Sequence, residues 1–157
     1  MKEQREQVRI NDYETVANFL MSGDTKEVKE FVKHLNWEKF TADNYDLMDI
    51  KFIRKYKNNI DWDNIWRLRK CSEDFIREFA EYAVWYLISG YQTLSENFIR
   101  EFADDVDWEN ICAQQTLSEN FIREFAEYVC WDYIAVCQNL SDEFINEYKE
   151  YIDEYLD

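Results

Sequence analysis

The sequence predicts an all-α fold, a short α-solenoid or superhelix built from tandem two-helix repeats. The segment QTLSENFIREFA occurs unchanged at residues 92–103 and 115–126, and each copy leads to a tryptophan, Trp108 or Trp131. An identical stretch at a spacing of 23 residues marks an internal repeat. The chain of 157 residues contains no proline and only two glycines. Since these residues break helices and punctuate turns, their scarcity indicates short helices joined by polar turns.

The repeat continues beyond its two identical copies. Phenylalanines recur every 23 residues from Phe52 to Phe144, with isoleucine, an aromatic residue and, in all but the last copy, tryptophan at fixed offsets behind them. A diverged copy with two additional residues precedes them. We therefore predict a single helical-repeat domain, 1–157, with about twelve short helices. It comprises an N-terminal half unit, 1–23, the repeats 24–48, 49–71, 72–94, 95–117 and 118–140, and a C-terminal capping half unit, 141–157.

The first helix of each repeat, helix A, begins after a capping residue. Ser95 can accept a backbone N–H of the first turn, and Leu94 and Ile99 have the spacing of a hydrophobic staple. Acidic residues in the first turn suit the positive end of the helix. We expect helix A to run for about ten residues, with an apolar stripe that ends near Val106. The equivalent capping residues are Asp49, Ser72, Ser118 and Ser141.

The second helix of each repeat, helix B, follows at once. Asp107 can cap a helix that begins at Trp108, with Val106 and Ile111 as its staple, and polar residues 113–116 end it after about eight residues. Helices this short are marginal in water alone, so burial between neighbouring repeats must stabilise them. We therefore expect a tryptophan column to form a shared core. Its members are Trp37, Trp62, Trp85, Trp108 and Trp131.

The two ends of the chain depart from the repeat, as solenoid ends do. Residues 12–16 match residues 107–111, which predicts a lone helix B with Phe19 and Leu20 on its apolar face. Residues 1–9 are charged and without pattern, either a helical extension or a frayed tail. Residues 143–157 indicate a helix A followed by a truncated acidic turn.

Negative charge is concentrated in the second half of the chain. The net charge is −16, but residues 1–70 carry +1 and residues 71–157 carry −17. Two positions on helix A repeat as carboxylates, away from the apolar stripe. The predicted acidic ridge consists of Glu78, Glu81, Glu101, Asp104, Asp105, Glu124, Glu127, Glu147 and Glu150. Such a ridge either keeps the protein in solution or presents the charge of a nucleic acid to a basic surface on another protein.

The basic residues of the chain have simpler interpretations. Lys51, Arg54, Lys55 and Lys57, with Arg67, Arg69 and Lys70, form a patch in the second repeat that is either a solvated face or a contact for an acidic partner. Arg77, Arg100 and Arg123 follow Glu73, Glu96 and Glu119 by four residues, an order that favours ion pairs on a helix surface. His34 is the only histidine, and we expect it to be structural.

No catalytic, metal or cofactor site is predicted. The single histidine leaves Cys71, Cys112, Cys130 and Cys137 without a base, and the two glycines provide no phosphate loop. The cysteines follow no metal-binding spacing, and no secretory or membrane segment is visible, so we expect reduced thiols in a cytoplasmic protein. Cys130 and Cys137 are expected to fill the core.

The segment LSENFIREFADDVDW, with the skeleton LSxxFIxxFxxxVxW, resembles short helical repeats that occur in tandem in proteins of large DNA viruses and bacteriophages. The resemblance covers residues 49–152 closely and 24–48 loosely. It implies a viral or phage origin and a binding role, and it carries over no catalytic or ligand residues. The expected protein is then a non-enzymatic inhibitor, monomeric in a host cell, whose acidic face covers the nucleic-acid-binding surface of a host defence protein.

Two other functions fit the same sequence. The protein is an interaction scaffold if its acidic face serves only solubility and the ends of helix B bind a peptide. That interface would use Trp66, Tyr91, Gln114 and Cys137. Alternatively, the near-neutral first half and the acidic second half associate head to tail in a self-assembly. Direct binding of nucleic acid by the acidic half is not expected, because phosphates repel carboxylates.

Overall fold

The structure, a computed structural model, describes residues 13–152. Thirteen α-helices and one short 3-10 helix make up this part of the chain, and it contains no strand. The predicted all-α fold of repeated, packed helices is confirmed. Contacts divide the chain into two compact units, Met1–Arg69 (unit 1) and Lys70–Asp157 (unit 2). Within residues 13–152 no helix has the length and apolar character that crossing a membrane requires.

Unit 1 contains five helices around an aromatic core. They are α1 (Tyr13–Met21), α2 (Lys26–His34), α3 (Trp37–Asn44), α4 (Ile50–Tyr56) and α5 (Trp62–Leu68). Helix α1 packs on α2, and α3 packs on α5. The predicted N-terminal helix B is present as α1, with Leu20 fully buried, whereas Phe19 is 39% exposed at its edge. The predicted tail, 1–9, lies outside the described residues.

Unit 2 repeats a short helix A and a helix B. Its elements are α6 (Glu73–Glu78), a 3-10 helix (Ala80–Tyr82), α7 (Trp85–Tyr91), α8 (Glu96–Glu101), α9 (Trp108–Gln114), α10 (Glu119–Glu124), α11 (Trp131–Cys137), α12 (Asp142–Glu147) and α13 (Lys149–Ile152). The helices B stack in sequence order, with α9 between α7 and α11. The core consists of phenylalanines and isoleucines from both helices, such as Phe98, Ile99 and Ile111, all fully buried.

Capping side chains set the helix starts where the sequence predicts them. Ser95 Oγ accepts the N–H of Phe98 at 3.2 Å, and Asp107 Oδ1 accepts the N–H of Asn110 at 2.9 Å. The same bond forms at Thr25, Asn36, Asp49, Asp61, Ser72, Ser118 and Ser141. Val84 and Cys130 occupy the position of Asp107 in their repeats and form no such bond.

Helix A is shorter than the predicted ten residues. Helix α8 has six residues and ends at Glu101, because Phe102 leaves the helical region (φ −115°, ψ 30°). The N–H groups of Asp105 and Val106 both donate to the Phe102 carbonyl, which closes a tight turn. The indole N–H of Trp108 donates to the Ala103 carbonyl at 3.0 Å. The tryptophan of helix B thus caps the carbonyl end of helix A.

The tryptophan column joins neighbouring repeats, as predicted, but at the edge of the core. Trp85, Trp108 and Trp131 are half-buried. Each ring lies against an aromatic ring of the next repeat, with Trp85 4.8 Å from Phe102 and Trp131 4.8 Å from Tyr148 between centroids. The fully buried tryptophan is Trp66, which lies outside the column.

Candidate functional site

Every arginine of unit 2 links two successive repeats. Arg100 donates from Nε to both carboxylate oxygens of Glu124 at 3.0 and 2.9 Å, and its guanidinium lies 4.9 Å from the ring centroid of Phe121. Arg77 makes the same contacts with Glu101 and Phe98, and Arg123 makes them with Glu147 and Phe144. We call these three groups the arginine bridges. The predicted pairs within one helix also form, at the longer distances of 3.6 to 3.8 Å.

The structure exposes all nine carboxylates of the predicted acidic ridge. The arginine bridges divide them into two classes, because three of the nine are ion-paired to the preceding repeat at 2.8 Å. These are Glu101, Glu124 and Glu147. Of the others, Glu78 and Glu81 also interact with other residues. Asp104, Asp105, Glu127 and Glu150 form no ion pair within residues 13–152.

The carboxylates without an ion pair follow helix A, and exposed tyrosines accompany two of them. Tyr128 and Tyr151 directly follow Glu127 and Glu150 and occupy equivalent positions 23 residues apart. Their side chains are 50% and 47% exposed. We call Asp104, Asp105, Glu127, Tyr128, Glu150 and Tyr151 the turn face. The predicted acidic ridge did not include the two tyrosines, although their 23-residue spacing beside an acid was visible in the sequence.

The tyrosine rings of the turn face are held by the tryptophan column. The centroid of Tyr128 lies 5.5 Å from that of Trp108, and the centroid of Tyr151 lies 5.1 Å from that of Trp131. Ring contacts of this kind contribute about 0.5–1.5 kcal/mol beyond burial. The rings are therefore oriented by the repeat and do not move freely on the surface.

Glutamates in the first turn of helix A connect the repeats in a second way. Glu96 Oε1 accepts the backbone N–H of Ser118 at 2.6 Å, and Glu119 Oε1 accepts that of Ser141 at 2.7 Å. The bond from the Ser141 backbone lowers the pKa of Glu119, and nearby Arg123 lowers it further. These glutamates are structural acceptors rather than free surface charges.

Glutamines satisfy the buried backbone between repeats of unit 2. Gln115 Oε1 accepts the N–H of Leu94 at 3.0 Å, while its Nε2 donates to the carbonyls of Ser89 and Gln92 at 2.9 and 2.8 Å. Gln138 repeats the pattern one unit later. The buried role of these glutamines was not predicted, because a polar segment after helix B is typical of a loop. Their signal was the 23-residue spacing of Gln92, Gln115 and Gln138.

Two cations of the predicted basic patch bond to backbone carbonyls. Lys55 Nζ donates to the Leu20 carbonyl at 2.9 Å, and Arg69 Nη1 donates to the carbonyls of Tyr45 and Met48 at 2.8 and 2.7 Å. These two cations satisfy backbone groups, although Lys55 is exposed, as Lys51 and Arg67 are, and Arg69 is half-buried. The single histidine, His34, is exposed and lies 2.9 Å from Glu30 on α2.

Two sets of predicted residues need correction. The prediction that Cys130 and Cys137 fill the core is wrong. Cys137 is exposed at the end of α11, and Cys130 is half-buried at the N-cap of the same helix. The buried thiol is Cys112, which accepts the N–H of Cys130, and burial raises its pKa to about 12. Trp66 is fully buried and cannot contact a partner peptide, while Tyr91 remains 59% exposed. Gln114 is exposed as well.

Comparisons of the chain with protein-family models, curated proteins and solved structures give no significant match. Among residues 13–152 no group of three histidine, cysteine, aspartate or glutamate side chains is arranged to hold a metal ion. The inference about function therefore depends on the chemistry of the surface.

Proposed function

We propose that the protein binds another protein through the turn face and covers a basic, nucleic-acid-binding surface on that partner. One observation carries the proposal. Residues 71–157 contain 21 carboxylates and four basic residues, and the three arginines among these are held in the arginine bridges. The charge that unit 2 offers to a partner is thus mainly that of its carboxylates, with Lys70 and Lys149 as exposed cations.

Binding of this kind is competitive and involves no turnover. A surface with one sign of charge accelerates encounter with a complementary surface by long-range attraction. The attraction weakens with salt, because the screening length falls to about 10 Å at 0.1 M ionic strength. The same charge repels nucleic acid, so the protein competes with nucleic acid for the partner and does not bind it.

A narrower form of the proposal names the partner as a host defence nuclease, with the protein acting in the cytoplasm of the host cell. This form depends on the resemblance of the repeat to repeats of large DNA viruses and bacteriophages. The turn face supports only the wider class, a protein with a basic surface.

An interaction scaffold is the second candidate function. It is favoured by two exposed tyrosines on α7, Tyr86 at 51% and Tyr91 at 59% exposure. In this case the ends of helix B provide the contact, and the carboxylates contribute to solubility alone. Changes in the turn face separate the two candidates.

Affinity capture with a charge-reversed turn face tests the proposal. The variant carries Asp104→Lys, Asp105→Lys and Glu127→Lys, all without ion pairs within residues 13–152. Wild-type protein is immobilised, exposed to a nuclease-treated bacterial lysate and washed with random duplex DNA or with rising salt. We expect wild type to retain proteins that DNA and salt displace, and the variant to retain none of them.

The matched control has the same change in charge within unit 1. Glu38→Lys, Asp43→Lys and Asp46→Lys alter three exposed carboxylates outside the turn face. This control should capture the same proteins as wild type. Capture that survives both the turn-face variant and high salt would overturn the proposal and favour the scaffold.

A further inference from the structure

We propose that the turn face recognises arginine side chains of its partner through two aromatic–carboxylate pairs, Glu127 with Tyr128 and Glu150 with Tyr151. The preferred ligand is an arginine-rich protein segment rather than a lysine-rich one. This inference deepens the proposed function and rests on it, since it assigns the chemistry by which the same surface selects its partner.

Each pair joins an exposed carboxylate to an oriented ring. Tyr128 is tilted by 39° against Trp108 and lies edge-on to Phe125 at 5.9 Å, so its position is fixed from two sides. Half of its side chain still contacts solvent. Glu127 precedes it in the same turn and is exposed.

The second pair occupies the equivalent positions one repeat later, on the short helix α13. Tyr151 stacks on Trp131 with an angle of 26° between the rings, and 47% of its side chain is exposed. Glu150 precedes it and is exposed. Within residues 13–152, no lysine or arginine lies over the ring of Tyr128 or Tyr151. Both rings are therefore available to a cation from outside.

An arginine suits such a pair better than a lysine does. A planar guanidinium can stack on an aromatic face while its N–H groups donate to a carboxylate, and it is weakly hydrated. An ammonium group is a compact, strongly hydrated point charge, and it loses more hydration for the same contact.

The arginine bridges show that the repeat already holds guanidinium groups in this way. In each bridge the guanidinium lies 4.8 to 4.9 Å from a phenylalanine centroid while it donates to a glutamate. In the three arginine bridges, the guanidinium group comes from the protein itself. The two pairs of the turn face offer the same two chemical groups, with tyrosine as the ring, to an external arginine.

The preceding repeat lacks the ring. Asp105 occupies the position equivalent to Tyr128, beside Asp104, so this repeat offers two carboxylates and no aromatic face. The substitution Asp105→Tyr should create a third pair. It removes one negative charge, so simple attraction of opposite charges predicts weaker binding of a cationic peptide, whereas arginine recognition predicts tighter binding.

Fluorescence anisotropy with two labelled peptides tests the inference. The peptides alternate serine with either arginine or lysine and have equal length and charge. We expect wild type to bind the arginine peptide several-fold more tightly, since a guanidinium can stack on the ring while it donates to the carboxylate, and an ammonium loses more hydration for the same contact. Asp105→Tyr should bind the arginine peptide at least twofold more tightly than wild type does, with little change for the lysine peptide.

Three variants separate ring chemistry from folding. Tyr128→Leu with Tyr151→Leu should abolish the preference for arginine, while Tyr128→Phe with Tyr151→Phe should keep it. Tyr91→Leu changes an exposed tyrosine outside the turn face and should behave as wild type. Far-ultraviolet circular dichroism and thermal unfolding confirm that each variant is folded before the peptides are compared.

Equal affinity of wild type for the two peptides would overturn this inference, as would a preference that survives the leucine variant. The proposed function would survive either result if lysate proteins are still captured and displaced by DNA. Conversely, absence of DNA-displaced capture would reject the proposed function, whatever the peptides show.

Discussion

Units 1 and 2 place different side chains at a position that bonds to the backbone of the preceding repeat. Positions 69, 92, 115 and 138 are 23 residues apart and lie just after helix B. In unit 1 the position holds Arg69, which donates to two backbone carbonyls at 2.8 and 2.7 Å. In unit 2 it holds glutamine, and Gln115 donates to two carbonyls while accepting one N–H. Each of these side chains bonds to two carbonyl groups of the preceding repeat, but the residue type and the carbonyls themselves differ between the units.

A second position also carries different side chains in the two units. The N–H of the residue that precedes helix B donates to a small side chain of the previous repeat. In unit 1, Asp61 donates to Thr41 Oγ1 at 3.0 Å, and in unit 2, Asp107 donates to Ser89 Oγ at 3.0 Å. One repeat later the acceptor is a sulfur atom, Cys112 Sγ. Any compact acceptor meets this requirement.

The choice of side chain has a consequence for charge. Unit 1 bonds the cations Lys55 and Arg69 to backbone carbonyls. Unit 2 uses the neutral amides of Gln115 and Gln138, which we call the junction glutamines, and holds its arginines in bridges. The segment 71–157 keeps a net charge of −17. Stacking of repeats does not require this negative charge, since unit 1 stacks repeats of the same pattern with a net charge close to zero.

The largest expected effect comes from removing a junction glutamine. Gln115→Leu leaves one N–H and two carbonyl groups without partners at a site that is 7% exposed. An unsatisfied buried polar group costs about 1–3 kcal/mol, so we expect a loss of roughly 3 kcal/mol or more in the free energy of unfolding. Urea denaturation followed by circular dichroism measures the loss.

Two substitutions sharpen this result. Gln115→Arg introduces the residue of unit 1 and should lose less than Gln115→Leu, since a guanidinium at this position can donate to carbonyls of the preceding repeat, as Arg69 does. Gln114→Leu, at the exposed neighbour, should change the free energy of unfolding by no more than about 0.5 kcal/mol. If Gln114→Leu and Gln115→Leu lower the free energy of unfolding equally, the hydrogen bonds of the Gln115 side chain do not stabilise unit 2.

Features with local causes were predictable from the sequence. A cap such as Ser95 bonds to a backbone group three residues away, so its residue type and position suffice to predict it. Helix B begins at Trp108 and has seven residues, close to the predicted eight, because a cap and a staple define its start. The assignment of α1 as a half unit followed from the same local pattern.

Features that depend on stacking were not predictable in the same way. The partners of Gln115 lie 21 to 26 residues away, and Arg100 contacts Glu124 at a separation of 24. Sequence alone predicted only the pair of Arg100 with Glu96, within one helix. Which carboxylates remain unpaired, and hence which ones form the turn face, follows from the contact between repeats.

An arginine bridge should contribute less than a junction glutamine, because it is partly exposed. The side chains of Arg100 and Glu124 are 33% and 46% exposed. A bidentate pair with an aromatic contact contributes about 1 kcal/mol at such a site, so Arg100→Leu should lower the free energy of unfolding by about that amount. A double-mutant cycle with Glu124→Gln in urea isolates the coupling between the two side chains.

A pair from unit 1 provides the control for this cycle. Lys33 and Glu30 are 3.5 Å apart on α2, with side chains 69% and 60% exposed. Their coupling should be no more than about 0.5 kcal/mol, the value for pairs on a helix surface. If both cycles give the same coupling, contact between repeats adds nothing to an ordinary surface ion pair.

The smallest expected effect is a pH dependence due to Glu119, in the first turn of helix α10. The bond from the Ser141 N–H lowers the pKa of Glu119 in the folded protein below its ordinary value of about 4.3. A carboxyl with a lowered folded pKa binds fewer protons than its unfolded counterpart, so its stabilising effect is present above that ordinary value. The effect is lost as the pH falls through the folded pKa.

Glu119→Gln removes this titration and keeps an oxygen that can accept the Ser141 N–H. Thermal unfolding between about pH 7 and pH 3 should show wild type losing stability more steeply than the variant, with the difference vanishing at the acid end. Glu38→Gln in unit 1 replaces an exposed carboxylate that accepts no such bond, and it serves as the matched control for the change from carboxylate to amide. Parallel curves for wild type and Glu119→Gln would show that the bond between repeats does not favour the charged carboxylate. The comparison between the units would then depend on the glutamines and the arginine bridges alone.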